Sequence, residues 1–237
     1  MRNIISEMLL CLGRLVAFIL PLLAFLLPLR FLTSFPSFVF RKLLHMVAVS
    51  CFTVMLLFAR QWQAASMTCL LVAAALYPLL AAFEEKSWYG KLFVEKSPGE
   101  VKRSLLMLFF LFAALIAFTW GLLSRREVGA AAILMWGLGD AMAALMGIPF
   151  GRHKVSFPPV NGKKSWEGFF AMLLTSALAG FGVLWHAGYP LWEAALCSLA
   201  GGLCGAFTEL LSPSEWDTVT VPVCIVTVIL LFEKPML

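Results

Sequence analysis

Long apolar runs constrain the fold of this chain more than any other feature of its sequence. A helix needs about 20 consecutive apolar residues to cross the hydrocarbon core of a bilayer. Eight runs approach that length: 8–28, 43–59, 64–83, 104–123, 128–148, 168–185, 191–211 and 219–232. The last run is short, and the first contains Pro21 and Pro28. The sequence therefore predicts an all-α integral membrane protein, a polytopic bundle of about seven to eight transmembrane helices.

The composition agrees with a membrane protein. Hydrophobic residues make up 62% of the 237 residues and charged residues 13%, whereas a soluble domain has about 25% charged residues. No internal repeat divides the chain, so we expect a single membrane-embedded catalytic domain over residues 1–237. We expect no cleavable signal peptide, because the first apolar run is long and lacks a small-residue cleavage site. All six cysteines lie in apolar runs without metal-ligand spacing, which predicts a packing role for them.

Basic residues are concentrated in alternate connections between the runs, namely those after the first, third, fifth and seventh. Because Lys and Arg are enriched in cytoplasmic loops, we expect these connections to face the cytoplasm. They carry Arg30, Arg41, Lys42, Lys86, Lys91, Lys96, Lys102, Arg103, Arg152, Lys154, Lys163 and Lys164. The opposite side carries Arg2, Arg60, Arg125, Arg126 and Lys234.

The segment 136–168, WGLGDAMAALMGIPFGRHKVSFPPVNGKKSWEG, combines an acid in an apolar run with a basic loop. Asp140 is flanked by Gly137 and Gly139, which would let a helix break or let a ligand approach the backbone. A carboxylate at that depth is costly, so we expect it to bind Mg²⁺ or to pair with a basic side chain. The loop that follows holds Arg152, His153, Lys154, Lys163 and Lys164.

Ser165 follows the lysine pair at the start of the sixth run. We expect Ser165 to cap that helix, whose N-terminus beside two lysines would bind phosphate. The segment contains neither a complete P-loop nor a dinucleotide fingerprint, because Phe157 and Met142 stand where these motifs need glycine.

Polar groups also flank the central segment. Arg41 and Lys42, before the second run, are interpreted either as topology anchors or as phosphate ligands, with His45 one turn further along and oriented to a substrate. Glu209 and Asp217 lie in the predicted cytoplasmic connection that has no basic residue, which indicates a divalent-metal or cationic-partner site.

Two capping boxes are predicted at helix starts, each with a serine cap, a proline and a glutamate three residues after the cap. They are Ser97, Pro98 and Glu100, and Ser212, Pro213 and Glu215.

These groups together indicate a nucleoside triphosphate with Mg²⁺, bound at a site whose remaining wall is lipid. The reaction class that fits is phosphoryl or nucleotidyl transfer to a membrane-dissolved acceptor. HExxH, GxSxG and a cysteine–histidine pair are absent, which disfavours the hydrolytic classes. A non-catalytic transporter of an anionic lipid, with the basic residues serving headgroups, is an alternative.

GDAMAALMGIPFGRHKV followed by GKKSWEG resembles the signature of the polyprenol kinase family, which includes dolichol kinase, phytol kinase and the CTP-dependent diacylglycerol kinase. The RKLLH segment and the order Glu209, Asp217, Val221-Pro222 are similar to further features of these kinases. Phosphatidate cytidylyltransferases share a more distant pattern of an acid, GR, FG and KK-WEG.

The resemblance implies a CTP-dependent (or UTP-dependent), Mg²⁺-dependent kinase that transfers the γ-phosphate to the hydroxyl of a polyprenol, a phytol-like isoprenoid or diacylglycerol. The alternative is CMP transfer to a phospholipid. We expect CTP, a lipid alcohol and membrane lipids as partners, and no nucleic acid; the oligomeric state is open.

The residues and the resemblance together predict the following site. The catalytic residues are Asp140, His45, Lys163 and Lys164. The nucleotide-binding residues are Arg152, Lys154, Lys163, Lys164, Gly139, Gly151, Arg41 and Lys42. The metal ligands are Asp140, Glu209 and Asp217.

Overall fold

The computed structural model describes residues 3–32, 36–92, 95, 99–158, 160, 162–213 and 216–233. Helices account for 84% of these residues, which contain no β-strand. The helices are α1 (Ile4–Leu32), α2 (Ser37–Phe58), α3 (Trp62–Phe83), α4 (Ser87–Leu92), α5 (Glu100–Ile116), α6 (Arg126–Phe150), α7 (Trp166–His186), α8 (Leu191–Leu211) and α9 (Asp217–Phe232). A π-helical segment, Ala117–Leu122, continues α5.

Seven helices of the described part of the chain are long and apolar enough to cross a membrane: α1, α2, α3, α5 with its π-helical continuation, α6, α7 and α8. The last helix, α9, is apolar but has only 16 residues. Large apolar side chains such as Phe25, Leu174 and Leu178 are exposed on these helices, as expected of surfaces that face lipid. The predicted all-α polytopic membrane fold is confirmed, and the assignment of the loops to the cytoplasm stays a prediction.

The helices group into two compact units, Met1–Ser124 and Arg125–Leu237. In the first unit α3 packs against α5 and α1, and α2 packs against α1. Aromatic rings fill part of this core, with the ring centroids of Phe52 and Phe109 4.9 Å apart. The predicted single catalytic domain over residues 1–237 stays a prediction.

In the second unit α7 packs against both α6 and α8, and α9 packs against α8 and α6. This unit contains the whole of the segment that the sequence singles out, together with Glu209 and Asp217.

Glycine permits the close approach of α6 and α7. A Cβ atom at Gly139 would collide with the side chain of Ser176 and would lie 3.1 Å from Cγ of Met172, both on α7. The Ser176 hydroxyl donates to the carbonyl oxygen of Met135 on α6 at 2.8 Å. Of the two roles considered for Gly137 and Gly139, a helix break is not observed, because α6 runs without interruption from Arg126 to Phe150, and the approach of a ligand stays a prediction. Gly139 is buried and serves helix packing.

The two predicted capping boxes fall partly outside the described residues, which do not include Ser97, Pro98 and Glu215. The predicted helix starts depend on residues outside the described ranges, and in the described part of the chain α5 begins at Glu100 and α9 at Asp217. The carboxylate of Glu95 instead accepts the amide N–H groups of Gly99 at 2.8 Å and of Val101 at 3.3 Å. A more distant acid thus satisfies donors at the start of α5.

Replacing Gly139 with leucine should destabilise the second unit, because the larger side chain has no space between α6 and α7. Overpacking of this kind costs about 1–3 kcal/mol, and we expect a fall in the thermal midpoint of about 5 °C or more. The measurement is thermal unfolding in detergent, followed by size-exclusion chromatography. Gly182→Leu is the matched control, because a Cβ at Gly182 on α7 meets nothing within 4 Å. Equal midpoints for the two variants would contradict the packing described here.

Candidate active site

The connection between α6 and α7, residues 151–165, folds back on itself as a short hairpin. An isolated antiparallel bridge pairs Lys154 with Ser165. The amide N–H of Val155 donates to the carbonyl oxygen of Lys164 at 3.0 Å, and the amide N–H of Gly162 donates to that of Val155 at 2.8 Å. Gly162 has a φ of +78°, a left-handed conformation that glycine adopts without strain. The two basic ends of the loop are therefore brought side by side.

Ser165 ends this loop and begins α7. Its Oγ accepts the amide N–H of Gly168 at 3.3 Å. The prediction that Ser165 caps this helix is confirmed. The cap makes the helix begin directly after Lys163 and Lys164, which therefore lie in the loop just before α7.

Gly151 joins α6 to the hairpin where there is no room for a side chain. A Cβ atom there would collide with the carbonyl oxygen of Gly147 and would lie 2.5 Å from Oγ of Ser165. The φ of Gly151 is −70°, which any residue adopts, so space rather than conformation requires glycine. Gly151 thus has a packing role, and its predicted contact with a nucleotide stays a prediction.

Glu167 anchors the other end of the loop, although its place in the sequence predicted no role for it. Its carboxylate accepts the amide N–H groups of Arg152 and His153, each at 3.1 Å to Oε1. It also lies 2.7 Å from Nδ1 of the His153 ring. The available signal was an acid in the first turn of a helix, next to a serine cap, where backbone donors are left free.

A cavity of about 290 Å³ lies beside this loop in the second unit. It brings together five predicted site residues: Asp140, Lys154, Lys163, Lys164 and Glu209. Its other wall is made of small and apolar residues: Ala143, Ala144, Gly147, Ile148, Ser165, Gly168 and Phe169. Ligand pockets usually have about 300–1,000 Å³, so this volume suits the polyphosphate part of a nucleotide better than a whole nucleotide with a lipid.

Lys164 connects the loop to the end of α8. Its Nζ lies 2.8 Å from Oε1 of Glu209, and both side chains are largely buried. The same ammonium donates to the carbonyl oxygens of Glu209 and Ser212. Glu209 and Lys164, predicted as a metal ligand and a phosphate ligand, therefore form an ion pair with each other.

Lys154 and Lys163 are exposed at the cavity and have no ion-pair partner among the residues that the structure describes. Two lysines are thus available to an anion in the cavity, while the charge of Lys164 is already balanced by Glu209.

Asp217 at the start of α9 lies within electrostatic reach of Asp140. Burial and the Asp140 carboxylate raise the pKa of Asp217 to about 6, although Lys164 opposes the shift. Two carboxylates that repel each other in this way would be stabilised by a cation between them.

The predicted metal ligands do not form a ready-made cage. Within the described ranges no group of three or more His, Cys, Asp or Glu side chains is arranged to hold a metal ion. Mg²⁺ does not need such a cage, because it usually keeps several waters and binds one or two carboxylates plus substrate phosphates. The pair Asp140 and Asp217 therefore fits Mg²⁺ that arrives with a triphosphate.

Other predicted site residues lie elsewhere. Arg152 is exposed and does not line the cavity, and neither do Gly139 and Gly151. Arg41, Lys42 and His45 are on α2 of the first unit. Arg41 lies 3.8 Å from Oε1 of Glu100, an ion pair within that unit. The roles predicted for these residues on α2 stay predictions.

Comparison with known proteins supplies the remaining evidence. No solved structure matches the chain. A family model described as "Cytidylyltransferase family" matches residues 3–213, which is nearly the whole chain. This match includes α6, the basic loop, α7 and Glu209, the parts that form the cavity. A protein with seven membrane-crossing helices and this match belongs to the cytidylyltransferase family, whose members use CTP.

Proposed function

We propose that this protein is a CTP-dependent lipid-alcohol kinase, which transfers the γ-phosphate of CTP to the hydroxyl of a membrane lipid. The observation that carries the proposal is the cavity in which Asp140, Lys154 and Lys163 meet at the end of a membrane helix. Membership of a CTP-using family supports CTP as the donor. We place the site on the cytoplasmic face, because the basic loops are expected there.

Of the steps in this reaction, the cavity is best suited to binding the phosphates of CTP. Lys154 and Lys163, which have no ion-pair partner among the described residues, supply two positive charges, and the positive end of the α7 dipole adds to them. A magnesium triphosphate still carries net negative charge, so both lysines attract it, and Lys163 also stabilises the charge of the transferred group. Lys164, held by Glu209, would position the loop and add to the positive field.

Asp140 and Asp217 would hold the Mg²⁺ ion. When bound, the ion would neutralise phosphate charge and orient the triphosphate. Burial, and after it the nearby Asp140 carboxylate, raises the pKa of Asp217, and the proximity of these two acids is the reason to assign the ion to this pair. Glu209, already paired with Lys164, has the weaker claim.

The reaction balances as a direct displacement. The lipid hydroxyl oxygen forms a bond to the γ-phosphorus, the bond from that phosphorus to the β–γ bridging oxygen breaks, and CDP leaves. The hydroxyl proton passes to a base, for which Asp140 is the candidate within the second unit. The small residues Ala144 and Gly147 and the exposed Ile148 give the cavity an apolar wall along which the lipid would approach.

The family description favours a second candidate, the transfer of CMP to a phospholipid. In that reaction a lipid phosphate oxygen attacks the α-phosphorus and pyrophosphate leaves. The same lysines and carboxylates would serve either reaction. We favour the kinase because the segments GDAMAALMGIPFGRHKV, GKKSWEG and RKLLH resemble the polyprenol kinases.

Position-specific labelling of CTP distinguishes the two reactions. Purified protein, Mg²⁺ and a mixture of a polyprenol, phytol, diacylglycerol and phosphatidic acid would be incubated with CTP labelled on either the α- or the γ-phosphate. We expect label in the lipid fraction only from γ-labelled CTP. Label in the lipid fraction only from α-labelled CTP would contradict the kinase proposal and support CMP transfer. Saturable binding of phosphatidic acid without any CTP binding would indicate the transporter.

Asp140→Asn should abolish turnover, with a loss of at least about a thousandfold, because it removes the carboxylate proposed to hold the metal. The variant keeps the shape of the side chain, so its thermal midpoint and elution profile should match those of the wild type. Glu85→Gln, at an exposed position in the turn after α3, is the control for loss of one negative charge. Near-normal turnover of Asp140→Asn would exclude the metal role of Asp140.

A further inference from the structure

We propose that Glu167 is a positioning residue that holds the basic loop in its phosphate-binding arrangement and so sets the affinity for CTP without touching the nucleotide. This inference rests on the proposed function, because it assigns the regulation of affinity at the same site. Glu167 does not line the cavity, and neither does His153, whose side chain is 80% exposed.

The contacts of Glu167 define the role. The Glu167 carboxylate accepts hydrogen bonds from two neighbouring backbone N–H groups, those of Arg152 and His153. It also lies beside Nδ1 of the His153 ring. Its second oxygen lies 3.3 Å from the amide nitrogen of His153. We call these hydrogen bonds from residues 152 and 153 to the Glu167 carboxylate the tether. Because the donors are backbone N–H groups, the tether does not need the side chains of residues 152 and 153 and depends mainly on Glu167.

Glu167 is well placed to fix a loop, because it belongs to a rigid element. It is the second residue of α7, which is capped by Ser165 and begins at Trp166. The positive end of the helix dipole stabilises a carboxylate in this first turn. The amide N–H of Trp166 also donates to the carbonyl oxygen of His153 at 3.0 Å, so residues 152–153 are fastened to the start of α7 by both backbone and side chain.

Lys154 is the residue that this tether controls. It follows His153 immediately, pairs with Ser165 in the isolated bridge, and lines the cavity. An isolated bridge has no neighbouring strands to support it, since the described residues form no sheet. Without the Glu167 carboxylate, Lys154 would be held by few hydrogen bonds, and its ammonium group would spend less time at the phosphate position.

The geometry predicts a graded set of variants. Glu167→Ala removes every side-chain contact of the tether. Glu167→Gln keeps one acceptor oxygen, which can take the place of Oε1 and retain the backbone contacts. His153→Ala leaves both backbone donors in place. Glu167→Ala should therefore weaken CTP binding most, Glu167→Gln less, and His153→Ala least.

The test is the dissociation constant for Mg²⁺–CTP, measured by calorimetry on purified full-length protein, together with KM for CTP and kcat. Loss of hydrogen bonds to a charged acceptor should weaken CTP binding about tenfold or more in Glu167→Ala. KM for CTP should rise by a similar factor, while kcat at saturating CTP stays within about twofold because the reacting groups are untouched. Glu167→Gln should recover part of the affinity, and His153→Ala should change it by less than about threefold.

Glu127→Ala is the matched control. Glu127 is also the second residue of a helix, α6, and it accepts one long hydrogen bond from the Tyr189 hydroxyl at 3.4 Å. It belongs to the other end of that helix from Gly151, so its loss should leave CTP affinity unchanged. Hydrogen–deuterium exchange should show faster exchange in residues 152–155 of Glu167→Ala and unchanged exchange in the rest of α7.

The outcomes separate the two proposals. Failure of the wild-type protein to bind Mg²⁺–CTP would overturn the proposed function. Tight CTP binding by the wild type together with equal binding by Glu167→Ala would overturn the positioning role alone. A fall in kcat with unchanged KM, or a general loss of thermal stability with unchanged loop exchange, would also overturn it.

Discussion

Charged groups at the end of a membrane helix need partners of opposite charge, and this requirement organises the second unit. Lys164 and Glu209 meet at 2.8 Å although one lies in the basic loop and the other near the end of α8. Ionised side chains that are largely withdrawn from water are costly unless they are paired and hydrogen-bonded. Pairing these two leaves Lys154, Lys163 and Asp140 as the other charged residues that line the cavity, with Asp217 within electrostatic reach of Asp140. That combination of charges is what a magnesium triphosphate requires.

Close helix packing makes this arrangement precise. Gly139 lets α7 approach α6, and Gly151 brings the start of the loop against Gly147 and Ser165. Ser165 then caps α7 and turns the lysines toward the cavity. The backbone that carries Asp140 and the start of the basic loop is thus fixed by helix packing, as expected of a site that is formed before its ligand binds.

Much of the fold could be predicted from the sequence, because membrane crossing depends on local hydropathy, and each span contains its own signal. The grouping of Asp140 with the lysines was also predictable, since α6 and the loop are adjacent in the chain. The pairing of Lys164 with Glu209 was not, because these residues are 45 positions apart and either could have met a phosphate or a metal.

Glu167 was missed for a related reason. Its partners are mainly the backbone amides of Arg152 and His153, and an acid in a first helical turn does not show which distant amides it will meet. The capping pattern looks for an acid three residues after the cap, so it did not predict that Glu95, which precedes α5, accepts amide N–H groups at the start of that helix. The glycines of α6 were interpreted as allowing a helix break or the approach of a ligand, whereas α7 fills the space beside Gly139.

The central claim is that the carboxylates of the second unit and the cations of its loop enclose one magnesium nucleotide. The most direct test is thermodynamic coupling between Mg²⁺ and CTP, measured as the change in CTP affinity when Mg²⁺ is added to the wild type and to Asp140→Asn. The claim predicts that Mg²⁺ tightens CTP binding in the wild type and that this gain is lost in the variant, while metal-free CTP binding persists. An equal gain in both proteins would contradict it.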